Sequence, residues 1–206
     1  MDLPSIALSA AAVVAAYLIG SIPWSVLIAR LLGGPDPRTV GSGRTGGANV
    51  LRAYGPAVAL VSGLLDASKG IVAVLVARWL GLGPVAESLA GLAAIVGHSR
   101  SIFLGFHGGR GVSVGWGALL VLSPIVAAVV TIVFAAIVVI SRYSSLGSLT
   151  GSAVGGLLLA ALSISGGLAT EYLIYAVGGA ALIWLFHLDN IQRLAAGTER
   201  RIDRGS

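Results

Sequence analysis

GVSVGWGALLVLSPIVAAVVTIVFAAIVVIS, which spans residues 111–141, contains no charged side chain. As one helix it would be about 46 Å long, because an α-helix rises about 1.5 Å per residue. That is too long for one crossing of a hydrocarbon core of about 30 Å. Ser123-Pro124 marks a break inside the stretch, since proline ends a helix at the residue before it. We therefore predict two short membrane helices here.

The rest of the chain has the same apolar character. Of its 206 residues, 56% are hydrophobic and only 10% are charged, whereas a soluble domain carries about 25% charged residues. Further apolar spans are predicted at Leu3–Ile28, Gly55–Val76, Val85–Val96, Leu149–Leu168 and Tyr172–Leu188. The sequence therefore predicts an all-α, polytopic integral membrane protein with about seven transmembrane helices, in which residues 1–206 form a single membrane-embedded domain.

The placement of charge predicts the orientation of these spans. With seven spans, nearly all arginines fall on one face of the membrane: Arg30, Arg38, Arg44, Arg52, Arg100, Arg110, Arg142, Arg193, Arg200, Arg201 and Arg204. The opposite face carries Asp2, Glu87 and Glu171, and Arg78 is its one basic exception. Because cytoplasmic loops are enriched in basic residues, the N-terminus is predicted outside and the C-terminus in the cytoplasm. This explains the net charge of +5 without nucleic acid.

Two glycine-rich loops that carry arginine lie on the predicted cytoplasmic face. They are Gly41–Arg52, which reads GSGRTGGANVLR, and His107–Gly111, which reads HGGRG. Glycines let backbone N–H groups converge on an anion, and arginine adds a forked positive donor. Such loops also serve as turns and helix contacts in membrane proteins. Their density of polar groups favours a phosphorylated substrate that is handled at the bilayer surface.

Other polar residues leave alternatives open. Asp66 and Lys69 share one helical face, so they form a structural ion pair or support a site. His98 is interpreted as an ordinary residue at a helix end. His187 is a candidate general base or a structural residue at a membrane boundary. The serines after Tyr143 form a polar cluster or a hydroxyl-rich helix start. With no cysteine and three scattered histidines, no metal site and no cofactor are expected.

At these motifs the chain resembles the bacterial membrane acyl-phosphate:glycerol-3-phosphate acyltransferases, the PlsY family. The resemblance covers nearly the whole chain, and its motifs occur in the family's order. They are Gly20–Pro23, Asp36 with Arg38, Gly41–Arg52, Asp66–Gly70, Gly97-His98, Phe106–Val112, Arg142–Leu146, His187–Leu194 and Gly197–Glu199.

The resemblance implies a reaction and a place in the cell. A fatty acyl group would pass from long-chain acyl phosphate to the 1-hydroxyl of sn-glycerol 3-phosphate, giving lysophosphatidic acid and phosphate, the first acylation of phospholipid synthesis. It also implies a multi-pass protein of the bacterial inner membrane, among membrane lipids, with its active site on the cytoplasmic side. A functional link to the enzyme that makes acyl phosphate follows as well.

The resemblance also implies roles for individual residues. Catalytic roles fall on Ser42, Arg52, His187 and Asn190, and substrate binding on Gly41, Gly43, Asn49, Gly108, Gly109, Arg110, Gly111, Ser145 and Ser148. Glu199 would support the fold. Either His187 acts as the base, or a phosphate oxygen of the donor takes the hydroxyl proton.

The chain departs from the family pattern in both glycine-rich loops. Arg44 stands where the family usually has asparagine, and Gly47-Ala48 where it has Ala-Thr. His107 and Arg110 stand where it has lysines, and arginine is not interchangeable with lysine at a tight phosphate site. These departures leave open a divergent paralogue with another polyol-phosphate acceptor. A seven-span bundle with anion-binding loops also leaves open a phosphate-ester transporter.

Overall fold

The computed structural model describes residues 3–202, and over this range it is all-helical. Its helices are α1 (Leu3–Ser21), α2 (Trp24–Leu31), α3 (Gly47–Trp79), α4 (Gly83–Ser99), α5 (Val112–Leu122), α6 (Pro124–Ser141), α7 (Ser144–Ile164), α8 (Leu173–Leu185) and α9 (Leu188–Ala195). Short 3-10 turns lie at Pro37–Thr39, Ile102–Leu104 and Thr170–Tyr172. The predicted all-α architecture is confirmed.

The helices are long and apolar enough for a polytopic membrane protein. Within residues 3–202, four segments are long and apolar enough to cross a membrane, namely Leu3–Leu31, α3, α6 and α7, and the bent pair of α8 with α9 raises the count to as many as five. The predicted count of about seven is higher because it includes α4 and α5, which have only 17 and 11 residues. The structure supports four to five candidate spans, and the number seven stays a prediction.

Several predicted boundaries were wrong by up to two helical turns. The predicted first span is interrupted between α1 and α2 at Ile22-Pro23, because proline lacks the N–H that an unbroken helix needs. The third helix begins at Gly47 rather than Gly55 and bends at Gly55, whose φ is +78°. The serines after Tyr143 lie in the first turns of α7, as the alternative of a hydroxyl-rich helix start expects. The predicted break before Pro124 is confirmed.

Glycines allow the central helices to approach one another closely. A Cβ on Gly20 would lie 2.3 Å from the Ala94 carbonyl oxygen, which joins α1 to α4. A Cβ on Gly70 would lie 2.0 Å from the Val114 oxygen, and one on Gly117 would lie 2.0 Å from the Ala67 oxygen. These contacts join α3 to α5. Small residues at helix contacts are how membrane helices gain van der Waals packing without a hydrophobic driving force.

Arg78, the one arginine predicted on the face opposite the others, forms an ion pair with Glu87. Its Nη2 lies 2.7 Å from Oε2 of Glu87, and the Tyr172 hydroxyl donates to the same oxygen at 2.8 Å. Arg78 also donates to the Val121 carbonyl at 3.1 Å. This network ties α3, α4, α5 and the segment before α8 together at the end of the bundle that is opposite the glycine-rich loops.

Candidate active site

A polar cavity of about 360 Å³ opens between the glycine-rich loops and the start of α9. Its lining combines groups from five helices and the tail: Ser42, Asn49, Asp66, His98, Arg110, Gly111, Ser113, Ser144, Ser145, Ser148, His187, Asn190 and Ile202. Residues far apart in sequence thus converge on one volume. This convergence identifies the cavity as the candidate site.

The first glycine-rich loop is held in shape by Asn49, which is 2% exposed. Its Nδ2 donates to the Arg44 carbonyl at 2.8 Å and to Ser42 Oγ at 3.2 Å. Its Oδ1 accepts from the Ser42 N–H at 3.3 Å and from Arg52 Nη1 at 3.1 Å. Gly41 has a φ of +58°, and a Cβ there would lie 2.3 Å from Asn49 Oδ1. Asn49 therefore braces the loop that presents Ser42 to the cavity.

Arg52 lies outside the lining of the polar cavity. It is on the second turn of α3, it is exposed, and only its Nη1 is hydrogen-bonded, to Asn49 Oδ1 and to the Ala48 carbonyl at 3.4 Å. Within residues 3–202, its Nε and Nη2 have no hydrogen-bond partner. A guanidinium of this kind at the rim keeps donors available for an anion.

The second glycine-rich loop packs tightly on the end of α4. The N–H groups of Gly108 and Gly109 donate to the carbonyls of Ser99 and His98 at 3.2 and 3.1 Å. A Cβ on Gly108 would lie 2.0 Å from the His98 carbonyl oxygen, and one on Gly109 would lie 2.0 Å from His98 Nε2. The N–H groups of both glycines are thus used within the protein, and their role in substrate binding stays a prediction. Both residues are small because the loop must lie against α4.

The N-terminus of α5 supplies the free backbone donors instead. Gly111 caps the helix with a φ of +78°, a left-handed conformation that favours glycine. The N–H groups of a first helical turn have no partner within the helix, and they carry a partial positive charge. Gly111, Val112 and Ser113 line the polar cavity, so this end of α5 faces it.

Arg110 adds a fixed charge beside that helix end. Its Nη2 lies 2.8 Å from Oδ2 of Asp189, and Arg193 approaches the same oxygen at 3.2 Å. The side chain of Arg110 is only 14% exposed, and its Nε is buried with no hydrogen-bond partner within the described residues. A buried donor without a partner costs free energy, so this Nε is a candidate donor to an anion in the cavity.

His187 is held in one tautomer in the connection between α8 and α9. Its Nδ1 lies 2.7 Å from the Ile183 carbonyl oxygen, which only accepts hydrogen bonds, so Nδ1 carries the proton. Nε2 is therefore the nitrogen that is free to accept. The neutral ring thus offers one acceptor to the cavity, which His187 lines.

Asn190 presents a second acceptor. Its Nδ2 donates to Glu199 Oε1 at 2.7 Å, which orients the amide and turns Oδ1 away from the carboxylate. That Oδ1 is buried without a partner within the described residues. Glu199 also accepts from Ser145 Oγ at 3.0 Å and from Arg193 Nε at 2.8 Å. Its carboxylate therefore holds α7, α9 and the tail together around the cavity.

A second, apolar cavity of about 340 Å³ adjoins the polar one. It lies between α3, α5, α6, α7 and α8, and its lining includes Leu64, Trp116, Leu119, Phe134 and Leu159. Both cavities share the lining residues Ala59, Leu60, Gly63, Val112, Ser113, Phe134 and Ser148. The site thus combines a polar pocket that has donors for an anion with an adjoining space for an apolar chain.

The cavity unites most of the predicted site residues but not all of them. It is lined by Ser42, Asn49, Arg110, Gly111, Ser145, Ser148, His187 and Asn190. Five others lie outside its lining, namely Gly41, Gly43, Arg52, Gly108 and Gly109. The sequence interpretation missed His98 as a site residue, and it missed Ile202 altogether. His98 contacts Lys69, and this pairing joins α3 to α4 over 29 positions of sequence.

Comparisons with known proteins decide the family. Residues 10–197 match the model of the family described as glycerol-3-phosphate acyltransferase. The chain belongs to the glycerol-3-phosphate acyltransferase family. It is 45% identical over 203 residues to a glycerol-3-phosphate acyltransferase of Roseiflexus sp. strain RS-1, covering 98% of both chains. It is 43% identical to one of Thermus thermophilus, covering 91% of this chain and 92% of the relative.

Solved structures of this acyltransferase family share the fold. One is the integral membrane glycerol 3-phosphate acyltransferase PlsY in its glycerol 3-phosphate form, with a TM-score of 0.86 and 36% identity over 95% of this chain and 96% of that one. Another is the lysophosphatidic acid form, with a TM-score of 0.84 and 35% identity over 94% of both chains. This chain is therefore a multi-pass integral membrane enzyme, a glycerol-3-phosphate acyltransferase of phospholipid synthesis.

Proposed function

We propose that this acyltransferase uses acyl phosphate as donor and acylates the 1-hydroxyl of sn-glycerol 3-phosphate. The observation that carries the proposal is the joined pair of cavities. The polar one holds a buried guanidinium donor and two acceptors, whereas the apolar one accommodates a fatty chain beside it. Two phosphorylated substrates, one of them with an acyl tail, match this division.

The donors and acceptors of the polar cavity fit different parts of the substrates. Arg110 Nε and the first turn of α5 are donors, which suits phosphate oxygens. Asn190 Oδ1 and His187 Nε2 are acceptors, which suits the hydroxyls of glycerol. Ser42, which lines the cavity, and Arg52, which contacts Asn49, supply further donors. The transporter alternative has no comparable support, because the buried polar groups converge on one cavity at the end of the bundle that carries the glycine-rich loops.

The reaction needs no covalent intermediate on the protein. The glycerol hydroxyl oxygen attacks the acyl carbonyl carbon and forms the ester bond, while the bond from that carbon to the phosphate oxygen breaks. Inorganic phosphate leaves, and one of its oxygens takes the hydroxyl proton. The residues orient the hydroxyl and hold the anions, so most of the rate enhancement comes from proximity and electrostatic stabilisation. An enzyme that makes acyl phosphate must supply the donor.

A direct assay tests the donor and the acceptor. Purified protein, palmitoyl phosphate and labelled sn-glycerol 3-phosphate should give labelled lysophosphatidic acid and inorganic phosphate. Palmitoyl-CoA in place of palmitoyl phosphate should give none. Comparable rates with both donors would refute the acyl-phosphate assignment, and a faster reaction with another polyol phosphate would make the chain a divergent paralogue.

The topology is a second expectation that follows from the charge pattern. The first glycine-rich loop and the tail should face the cytoplasm, and the α7–α8 connection should face outside. The chain has no cysteine, so single cysteines report cleanly at the exposed positions Thr39, Arg200 and Ser165. In intact cells an impermeant maleimide should label Ser165→Cys but not Thr39→Cys or Arg200→Cys. External labelling of Thr39→Cys would reverse the orientation.

A further inference from the structure

A buried cluster of charged and titratable side chains lies at the floor of the polar cavity, and the proposed reaction does not use it. Asp66 is 5% exposed, Lys69 2% and His98 8%. Asp66 and His98 line the cavity. Charged side chains inside a membrane protein are expensive, and they mark functional positions more often than structural ones.

The contacts of Lys69 determine which nitrogen of His98 carries the proton. A lysine ammonium has three N–H donors and no acceptor. Each donor has one acceptor here: Asp66 Oδ1 at 2.7 Å, the Ile22 carbonyl oxygen at 2.9 Å and His98 Nδ1 at 3.0 Å. Asp66 Oδ1 is 3.5 Å from the same Nδ1, which is long for a hydrogen bond. Nδ1 therefore accepts from Lys69, and the proton of the neutral ring lies on Nε2.

This Nε2–H donor has no acceptor among residues 3–202. Its edge of the ring packs against Gly109, where a Cβ would approach Nε2 to 2.0 Å. Glycine at this position thus makes room for the ring, which lines the cavity. The neighbouring walls of the cavity are the N-terminus of α5 and Arg110, which are both donors to anions. A buried side chain with an unused donor therefore lies beside an electropositive helix end.

We propose that His98 is an anion-binding residue whose Nε2–H donates to a phosphoryl oxygen in the polar cavity, with Lys69 and Asp66 fixing the proton on that nitrogen. The inference rests on the proposed function only for the identity of the ligand. A phosphoryl group is common to sn-glycerol 3-phosphate and acyl phosphate, and the two are separated by experiment below.

Two substitutions separate the two functions of the His98 ring, which are to accept from Lys69 through Nδ1 and to donate through Nε2–H. In His98→Asn the amide oxygen takes the place of Nδ1, so Lys69 keeps its acceptor, but the Nε2–H donor is lost. In His98→Gln the amide nitrogen takes the place of Nε2, so the donor is kept. We expect His98→Asn to weaken binding of inorganic phosphate by about 10- to 100-fold, as the loss of a hydrogen bond to a charged group implies. His98→Gln should stay within about fivefold of the unchanged protein.

The control is Ser165→Asn, because Ser165 is exposed in the connection between α7 and α8 and lines neither cavity. It should bind phosphate as the unchanged protein does. If His98 only satisfied Lys69, His98→Asn would bind phosphate normally and His98→Gln would be the damaged variant. That order would overturn the proposal.

A measurement on the unchanged protein avoids any loss of fold in the variants. Nitrogen-15 spectra of the histidine rings should show His98 as the Nε2–H tautomer, with an Nε2–H resonance that moves when inorganic phosphate is added. An Nδ1–H tautomer, or a resonance that phosphate leaves unchanged, would refute the assignment. Neither phosphate binding nor these spectra require turnover, so they stand even if the acyl-transfer assay fails.

The kinetic arm identifies the source of the phosphoryl group. With His98→Asn, a rise of KM for sn-glycerol 3-phosphate alone places the acceptor's phosphate on His98. A rise of KM for palmitoyl phosphate alone places the donor's phosphate there. Unchanged values of both, together with normal phosphate binding, would contradict the proposal.

Discussion

Replacing His187 with phenylalanine should lower kcat by about 100-fold or more, whereas His187→Gln should cost no more than about tenfold. The reason is the fixed tautomer. Nδ1 is bonded to the Ile183 carbonyl at 2.7 Å, so Nε2 is left as an acceptor for the glycerol hydroxyl. Glutamine places an amide oxygen near the Nε2 position and still accepts, but it is no base. Phenylalanine keeps the shape and accepts nothing.

The two variants decide whether His187 is a base or an orienting acceptor. General bases contribute about 10²- to 10⁴-fold. If His187 were a base, both variants would fall by the same large factor, and the phosphate of the donor would not be the proton acceptor. Circular dichroism and thermal unfolding of the purified variants serve as the control, since His187 is buried.

The sequence predicted those parts of the fold that depend on local signals. The break before Pro124 follows from one residue, and the all-helical membrane class follows from composition. The helix ends were less predictable, because Gly47, Asn49 and Arg52 are helical despite their polar loop-like sequence. At a membrane surface, a loop and the first turn of a helix contain the same kinds of polar residues, so the sequence pattern does not distinguish them.

The sequence predicted only part of the candidate site, because motifs do not show which residues contact one another. Motif positions showed which residues matter but not what they contact. Asn49 holds the first loop, and Gly108 and Gly109 make room for His98. The pairing of Lys69 with His98 depends on how α3 and α4 pack. No local pattern encodes that packing, so the lysine–aspartate pair was visible in the sequence and its third partner was not.

Arg110, which stands where the family usually has lysine, is the second residue whose substitution should have a large effect on the enzyme. Arg110→Ala should raise KM for a phosphorylated substrate by about 100-fold, since it removes a buried donor beside the N-terminus of α5. Arg110→Lys should also be damaging, by about tenfold, although it restores the usual residue of the family. Arginine binds Asp189 through Nη2 at 2.8 Å while its Nε remains free. The single Nζ of lysine cannot occupy both places.

A double-mutant comparison tests whether the two contacts compete for that one nitrogen. Adding Asp189→Asn to Arg110→Lys removes the carboxylate that would hold Nζ, so the double variant should recover part of the lost affinity. Arg200→Ala is the matched control, because Arg200 is exposed in the tail and does not line either cavity. Retained or raised activity in Arg110→Lys alone would mean that this loop binds phosphate through a single point charge. Unchanged KM values for both substrates in Arg110→Ala would place phosphate binding on Ser42 and His98 in the cavity and on Arg52 outside its lining.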